Sequence, residues 1–165
     1  MPKLAHILMA GLACAALAGC ANHPNTAPPN AVDEISDITV LSGQTAARWG
    51  TDPAPDGLEV MLYLFNRFTS NQPVTGRGAI EFDMYDGTLT AQSIASARPF
   101  SSTRTDLPKL QGTLVRTAFG WGYSLRLPWG ANVPTSGSVT LQVKYTSPAG
   151  REMFSAPITV AMSPH

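Results

Sequence analysis

SVTLQVKY, running from Ser138 to Tyr145, alternates apolar Val139, Leu141, Val143 and Tyr145 with polar Ser138, Thr140, Gln142 and Lys144. Successive strand side chains point to opposite faces, so a period of two writes a half-buried β-strand. Immediately after it, Ser147-Pro148-Ala149-Gly150 places proline at the second turn position and glycine at the fourth, the chemistry of a type I turn. Phe154, Ala156, Ile158 and Val160 continue the alternation and predict an antiparallel hairpin. Pro157 has no amide hydrogen to give a ladder, so it puts this last strand at a sheet edge or marks a bulge.

The same rule extends upstream. Ile80, Phe82 and Met84 alternate with Glu81, Asp83 and Tyr85. Trp121, Tyr123, Leu125, Leu127 and Trp129 form a stripe opposite Gly122, Ser124, Arg126 and Pro128, and such a stripe reads most simply as a core face. Leu58 to Phe65 is apolar on both sides, which predicts a central or covered strand, and Ile35 to Leu41 is a first strand. Between 93 and 118 the pattern breaks. Pro99-Phe100-Ser101 reads as a short edge strand. A brief helix is expected near 105–115, capped by Thr105 or Asp106, with Pro108 in its first turn and Leu107, Leu110 and Leu114 along one face. About seven strands separated by turns indicate an all-β fold, an immunoglobulin-like antiparallel β-sandwich spanning 34–163, with a small β-barrel as the rival.

Ahead of the domain, Lys3 and the terminal amine precede an apolar run from Leu4 to Ala16, broken only by His6. The run falls short of the roughly 20 residues that span a bilayer and has the form of a secretory leader. It ends in Leu17-Ala18-Gly19-Cys20, which resembles a bacterial lipobox. That resemblance implies cleavage of a 1–19 signal peptide and a lipid on the Cys20 thiol. Residues 20–33 are polar, small and proline-bearing, the composition of a disordered tether. Ala21 rather than Asp follows the cysteine, the pattern that sends such proteins to the periplasmic side of the outer membrane. Together with the leader, Asp56-Gly-Leu-Glu-Val60, Phe82-Asp-Met-Tyr85 and Gly122-Tyr-Ser-Leu-Arg-Leu-Pro-Trp129 resemble uncharacterised bacterial lipoproteins with a single immunoglobulin-like domain. The resemblance implies that fold and that location and carries no activity.

Chemistry is sparse in the remainder. His6, His23 and His165 all lie outside the expected domain, and Cys14 leaves with the leader. No Ser–His–Asp or Cys–His constellation, zinc ligand set or cofactor is therefore expected. Ser124 lacks the second glycine of a nucleophile elbow. Eleven Lys and Arg balance eleven Asp and Glu, and only 13% of residues are charged, which gives no electrostatic reason to expect nucleic acid. Four residues are candidates for a ligand surface. Glu81 and Asp83 share a strand face, about 7 Å apart at strand rise. Paired carboxylates hydrolyse glycosides, although a solvated outer face explains these two equally well. Trp49 and Tyr85 are the candidate exposed aromatics for carbohydrate or peptidoglycan. Asp52 and Asp56 lie in a loop that offers calcium only part of a ligand set. The expectation is a lipid-anchored, non-catalytic envelope protein whose partners are the membrane, through Cys20, and an envelope protein or glycan.

Overall fold

The computed structural model describes residues 27–162, apart from 52, 69 and 70. The leader, Cys20 and Asp52 lie outside the described residues. The described residues form a two-sheet antiparallel β-sandwich, with ten strands among them where about seven were expected. They are β1 (Asp37–Ser42), β2 (Gly57–Phe65), β3 (Pro73–Val74), β4 (Ala79–Asp86), β5 (Ser101–Asp106), β6 (Leu114–Thr117), β7 (Gly120–Pro128), β8 (Ser138–Thr146), β9 (Glu152–Phe154) and β10 (Ile158–Ala161). One sheet runs β1-β2-β7-β6, with β3 also on β2. The other runs β10-β8-β4-β5, with β9 also on β8. With β1, β2, β4, β6, β7, β8 and β10 as strands A to G, this is the ABED-against-GFC order of an immunoglobulin-like sandwich, β5 adding a strand beside C.

The alternating stretches supply the two inner faces. Leu58, Val60, Leu62 and Leu64 of β2 and Tyr123, Leu125 and Leu127 of β7 meet Ile80, Phe82 and Met84 of β4 and Val139, Leu141, Val143 and Tyr145 of β8 in one buried core. β2 is central in its sheet, as its two apolar faces require. Its outward Tyr63 is buried too, its hydroxyl hydrogen-bonded to Thr117 (2.9 Å) and its ring edge-on to Phe119. Strand A also joins the two sheets. Just beyond β1, Ala46 donates to the Ala161 carbonyl (2.8 Å), a parallel contact that covers part of the β10 edge.

The hairpin after β8 forms as its turn residues demand. Gly150 donates to the Ser147 carbonyl at 2.9 Å and adopts φ +80, a conformation that glycine takes without cost. The returning strand departs from unbroken alternation. Phe154 pairs with Lys144, whereas Ile158 pairs with Leu141, so three residues on this strand oppose two on β8. Pro157 sits in that bulge at the sheet edge. Ser155 fills it, its amide donating to the Val143 carbonyl (2.8 Å) and its hydroxyl accepting from the Val143 amide (3.0 Å). The extra residue exchanges faces, turning Met153 inward and leaving Phe154 and Ala156 exposed.

Between 93 and 118 the structure holds the expected edge strand and short helix, with shifted bounds. The strand expected at 99–101 is β5, beginning at Ser101 and holding the edge of its sheet by pairing with β4. The expected helix is a 3-10 helix over Leu107–Thr113, with Leu107 fully buried and Leu110 and Leu114 packed on the core. A further short helix, α1 (Ala91–Ile94), was not foreseen. It starts at a capping box between Thr90 and Ser93, and only its Ile94 is buried. The tether also ends earlier than position 33. Val32 pairs with Gly76, the Thr75 hydroxyl donates to the Pro29 carbonyl (2.7 Å), and the buried Tyr145 hydroxyl donates to the carbonyls of Asp33 (3.0 Å) and Arg77 (2.7 Å). Among the described residues no helix is long and apolar enough to cross a membrane.

Candidate functional site

Glu81, Asp83 and Tyr85 occupy the outer side of β4, as the alternation required. Glu81 lies opposite Arg104 of β5 and Lys144 of β8. Its carboxylate meets Lys144 at 2.7 Å and Arg104 at 3.6 Å, and it accepts from the Ser102 hydroxyl at 3.2 Å. Glu152 stands 3.9 Å from the same lysine, so a row of alternating charge crosses four strands. The Lys144 contact holds Glu81 below the ordinary carboxylate range, and Glu81 in turn raises Lys144. A glycosidase general acid needs the opposite shift, so that it stays protonated near neutrality. The chemistry of Glu81 is that of a fixed anion in a cross-strand ion-pair row.

Tyr85 is not the exposed aromatic that its position suggested. It is 6% exposed, and burial, then the charges of Asp83 and Glu81, pushes its phenol up. The chain beyond β4 folds back over this side of the sheet. Thr140, the partner of Tyr85 on β8, donates to the Gly87 carbonyl (2.7 Å) and accepts from the Leu89 amide (2.9 Å). Thr140 is itself completely buried, although its place in the alternation is an outward one.

Trp49 belongs to the other sheet. Its indole nitrogen donates to Glu59 (2.8 Å), Arg126 lies over its ring 5.5 Å from the centroid, and Arg126 reaches the same Glu59 oxygen at 3.2 Å. Glu59 and Arg126 point outward from β2 and β7, so Trp49 lies on the outer face opposite to that of Tyr85. The structure therefore brings Glu81, Asp83 and Tyr85 together and leaves Trp49 apart, and the two aromatics form no common platform. Asp56 accepts from the amides of Trp49 (2.5 Å) and Gly50 (2.8 Å), which hold its carboxylate below the usual range. Its charge is spent on closing the loop that seats Trp49. Among the described residues no group of three or more His, Cys, Asp or Glu is placed to hold a metal. Of the Trp121–Trp129 stripe, Tyr123, Leu125, Leu127 and Trp129 lie in the core while Trp121 is half-buried outside it, and the Trp129 indole nitrogen donates to the Pro55 carbonyl (2.8 Å).

An open depression of about 470 Å³ lies beside Gly78, Arg104, Asp106, Lys109 and Ser147. Its cations are already engaged, Arg104 with Glu81 and Lys109 with Asp106 at 2.8 Å.

Asp86 was not singled out from the sequence. It ends β4 and accepts from the Thr135 hydroxyl (2.5 Å) and from the amides of Thr135 (3.0 Å) and Ser136 (2.8 Å). These bonds, the Thr135 hydroxyl first, lower its carboxyl to about 2. A carboxyl depressed on folding contributes stability that is complete above its unfolded value near 3.9 and is lost as pH falls toward 2. Asp86→Asn is therefore expected to flatten the pH dependence of unfolding free energy between about pH 4 and 2. An unchanged slope in urea melts across that window would refute the assignment.

Comparison with family models, curated proteins and solved structures finds no match.

Proposed function

We propose that this chain is a lipid-anchored, non-catalytic protein of the bacterial envelope, whose immunoglobulin-like domain binds or supports another envelope component. The observation that carries the reading is Leu17-Ala18-Gly19-Cys20, placed directly behind Lys3 and the apolar run Leu4 to Ala16. One acyl chain gives only marginal membrane binding, with about 0.8 kcal/mol for each buried methylene. The two or three chains that such a cysteine carries make attachment effectively permanent without a polybasic patch. Cleavage before Cys20 leaves one thiol in the mature protein, and the lipid occupies it. Residence on the periplasmic side of the outer membrane follows from Ala21 at the next position.

The commitments of the polar surface support a binding or supporting role over a catalytic one. Glu81 is neutralised by Lys144, Asp56 closes a loop, and Glu59 holds Trp49 and Arg126. Each is an acceptor within the scaffold.

Cys20→Ser is the direct test. In a bacterial host fed radiolabelled fatty acid, the native chain is expected in the membrane fraction with label, and the variant unlabelled in the soluble fraction. A native chain without label, cleaved at another position, would end the reading. Crosslinking from membranes to one envelope protein would identify the component bound, while turnover of a substrate by the purified domain would remove the non-catalytic role.

A further inference from the structure

Among the described residues the two most exposed large apolar side chains, Phe68 at 85% and Phe119 at 70%, stand on separate loops, and topology brings both to one end of the sandwich. Phe68 follows the C-terminal end of β2, and Phe119 lies in the turn between β6 and β7. That turn is tied to the strand after Phe68, because Gly120 packs directly against Pro73. The N-terminal segment leaves from the same end. Ser36 donates to the Phe65 carbonyl (2.8 Å), Val32 bridges to Gly76, and Pro29 is held by Thr75.

We propose that this end, led by Phe68 and Phe119, rests in the interfacial layer of the bilayer that holds Cys20. The proposal depends on the lipid-anchored reading and adds to it an orientation and a second contact. Chain length favours it. Nine residue steps separate Cys20 from Pro29, so the link cannot exceed about 32 Å and averages about 17 Å as a coil. The nine-residue strands β2 and β7 are about 27 Å long. Turning the opposite end to the membrane would use nearly the whole extended link. The charges at the near end are already matched within the protein. Arg77 pairs with Asp33 (3.1 Å), Arg151 with Glu34 (2.5 Å) and Arg67 with Asp37, each joining a different loop to the N-terminal segment. This end therefore offers the bilayer apolar aromatic tips with compensated charge, and Phe side chains bury at the boundary between headgroups and acyl chains.

Phe68→Trp and Phe119→Trp, made singly in the full chain, would be purified from membranes and placed in vesicles containing phospholipid brominated along its acyl chains. Val133→Trp, 59% exposed on the loop between β7 and β8 at the opposite end, is the matched control, and the native tryptophans are subtracted as background. Loss of about half the added emission is expected for both phenylalanine sites and almost none at 133, equally in zwitterionic and anionic vesicles. Anchored protein quenched no more at 68 and 119 than at 133, or quenched only with anionic lipid, would overturn this inference alone. Recovery of the native chain without acyl groups would overturn the anchored reading and this inference with it.

Discussion

Phe82→Ala is expected to cost about 3–5 kcal/mol of folding stability, while Asp83→Asn, one position along the same strand, should change it by no more than about 0.5 kcal/mol. Phe82 is 2% exposed, pairs across β4 and β8 with Val143, and lies in the shared core of both sheets. Removing its ring takes away the transfer free energy and leaves a cavity that two hydrogen-bonded sheets cannot collapse around. Glu81→Gln should fall between these values, at about 1 kcal/mol or less, because Lys144 and Glu81 are each about one-fifth exposed and water screens their attraction. The measurement is urea unfolding of the three variants beside the native chain. A Phe82→Ala loss below about 1.5 kcal/mol would contradict the packing described for this strand. A loss of similar size for Asp83→Asn would show that its carboxylate has a structural duty that the outer face does not suggest.

That contrast also shows what could be read from the sequence. Strands contributing to the core declare themselves by alternation, because one face must be dry: Ile80, Phe82 and Met84, Val139 to Tyr145, and Tyr123, Leu125, Leu127 and Trp129 all appear where the pattern puts them, and only Trp121 at the end of its stripe falls outside the core. β5 carries no such signature. Its sequence, Ser101 to Asp106, is small and polar, and it is a strand because β4 offers an unpaired edge. Tyr85 and Thr140 point outward as the alternation requires, yet both are buried, and residues 87–89 return across Thr140 through hydrogen bonds to its hydroxyl. No hydrophobic period records such a contact. Phe154 was placed inward because a bulge is one residue of slippage, and only Pro157 hinted at it.

The candidate ligand surface was legible to a lesser degree. Glu81, Asp83 and Tyr85 share a face because strand geometry alone ensures it. Trp49 shares only chemical type with Tyr85, and type carries no information about which sheet a loop covers. The N-terminal segment taught the converse lesson. Residues 29–33 have the composition of a coil, and they are held through the Val32–Gly76 bridge, the Pro29 and Asp33 carbonyls and the Asp33–Arg77 pair. A segment with little to bury is fixed here by partners supplied from elsewhere in the chain. This docking shortens the link to Cys20 and gives the anchored reading its orientation.

Gly57→Ala is expected to destabilise the domain by about 2–3 kcal/mol, lowering the melting temperature by roughly 5–10 °C. Gly57 opens β2 and pairs with Pro128 of β7. A Cβ there would come to 2.2 Å from the Leu127 carbonyl oxygen, 2.8 Å from the Pro128 Cα and 2.6 Å from the Trp49 ring. Two of these three atoms are backbone, so relief requires β2 and β7 to part where they pair. The third is the end of an indole that Glu59 and Arg126 hold in place. Trp49→Ala in the Gly57→Ala background is thus expected to recover only part of the loss, and a double-mutant cycle separates the two contributions. Gly112→Ala is the control, since its Cβ would meet nothing within 4 Å, and it should leave stability within about 1 kcal/mol of native. If Gly57→Ala proved as harmless as Gly112→Ala, the close approach of β2 and β7 could not stand as described. If Trp49→Ala restored full stability, the indole alone would be the obstruction, and the loop closed by Asp56 would be what requires glycine at this position.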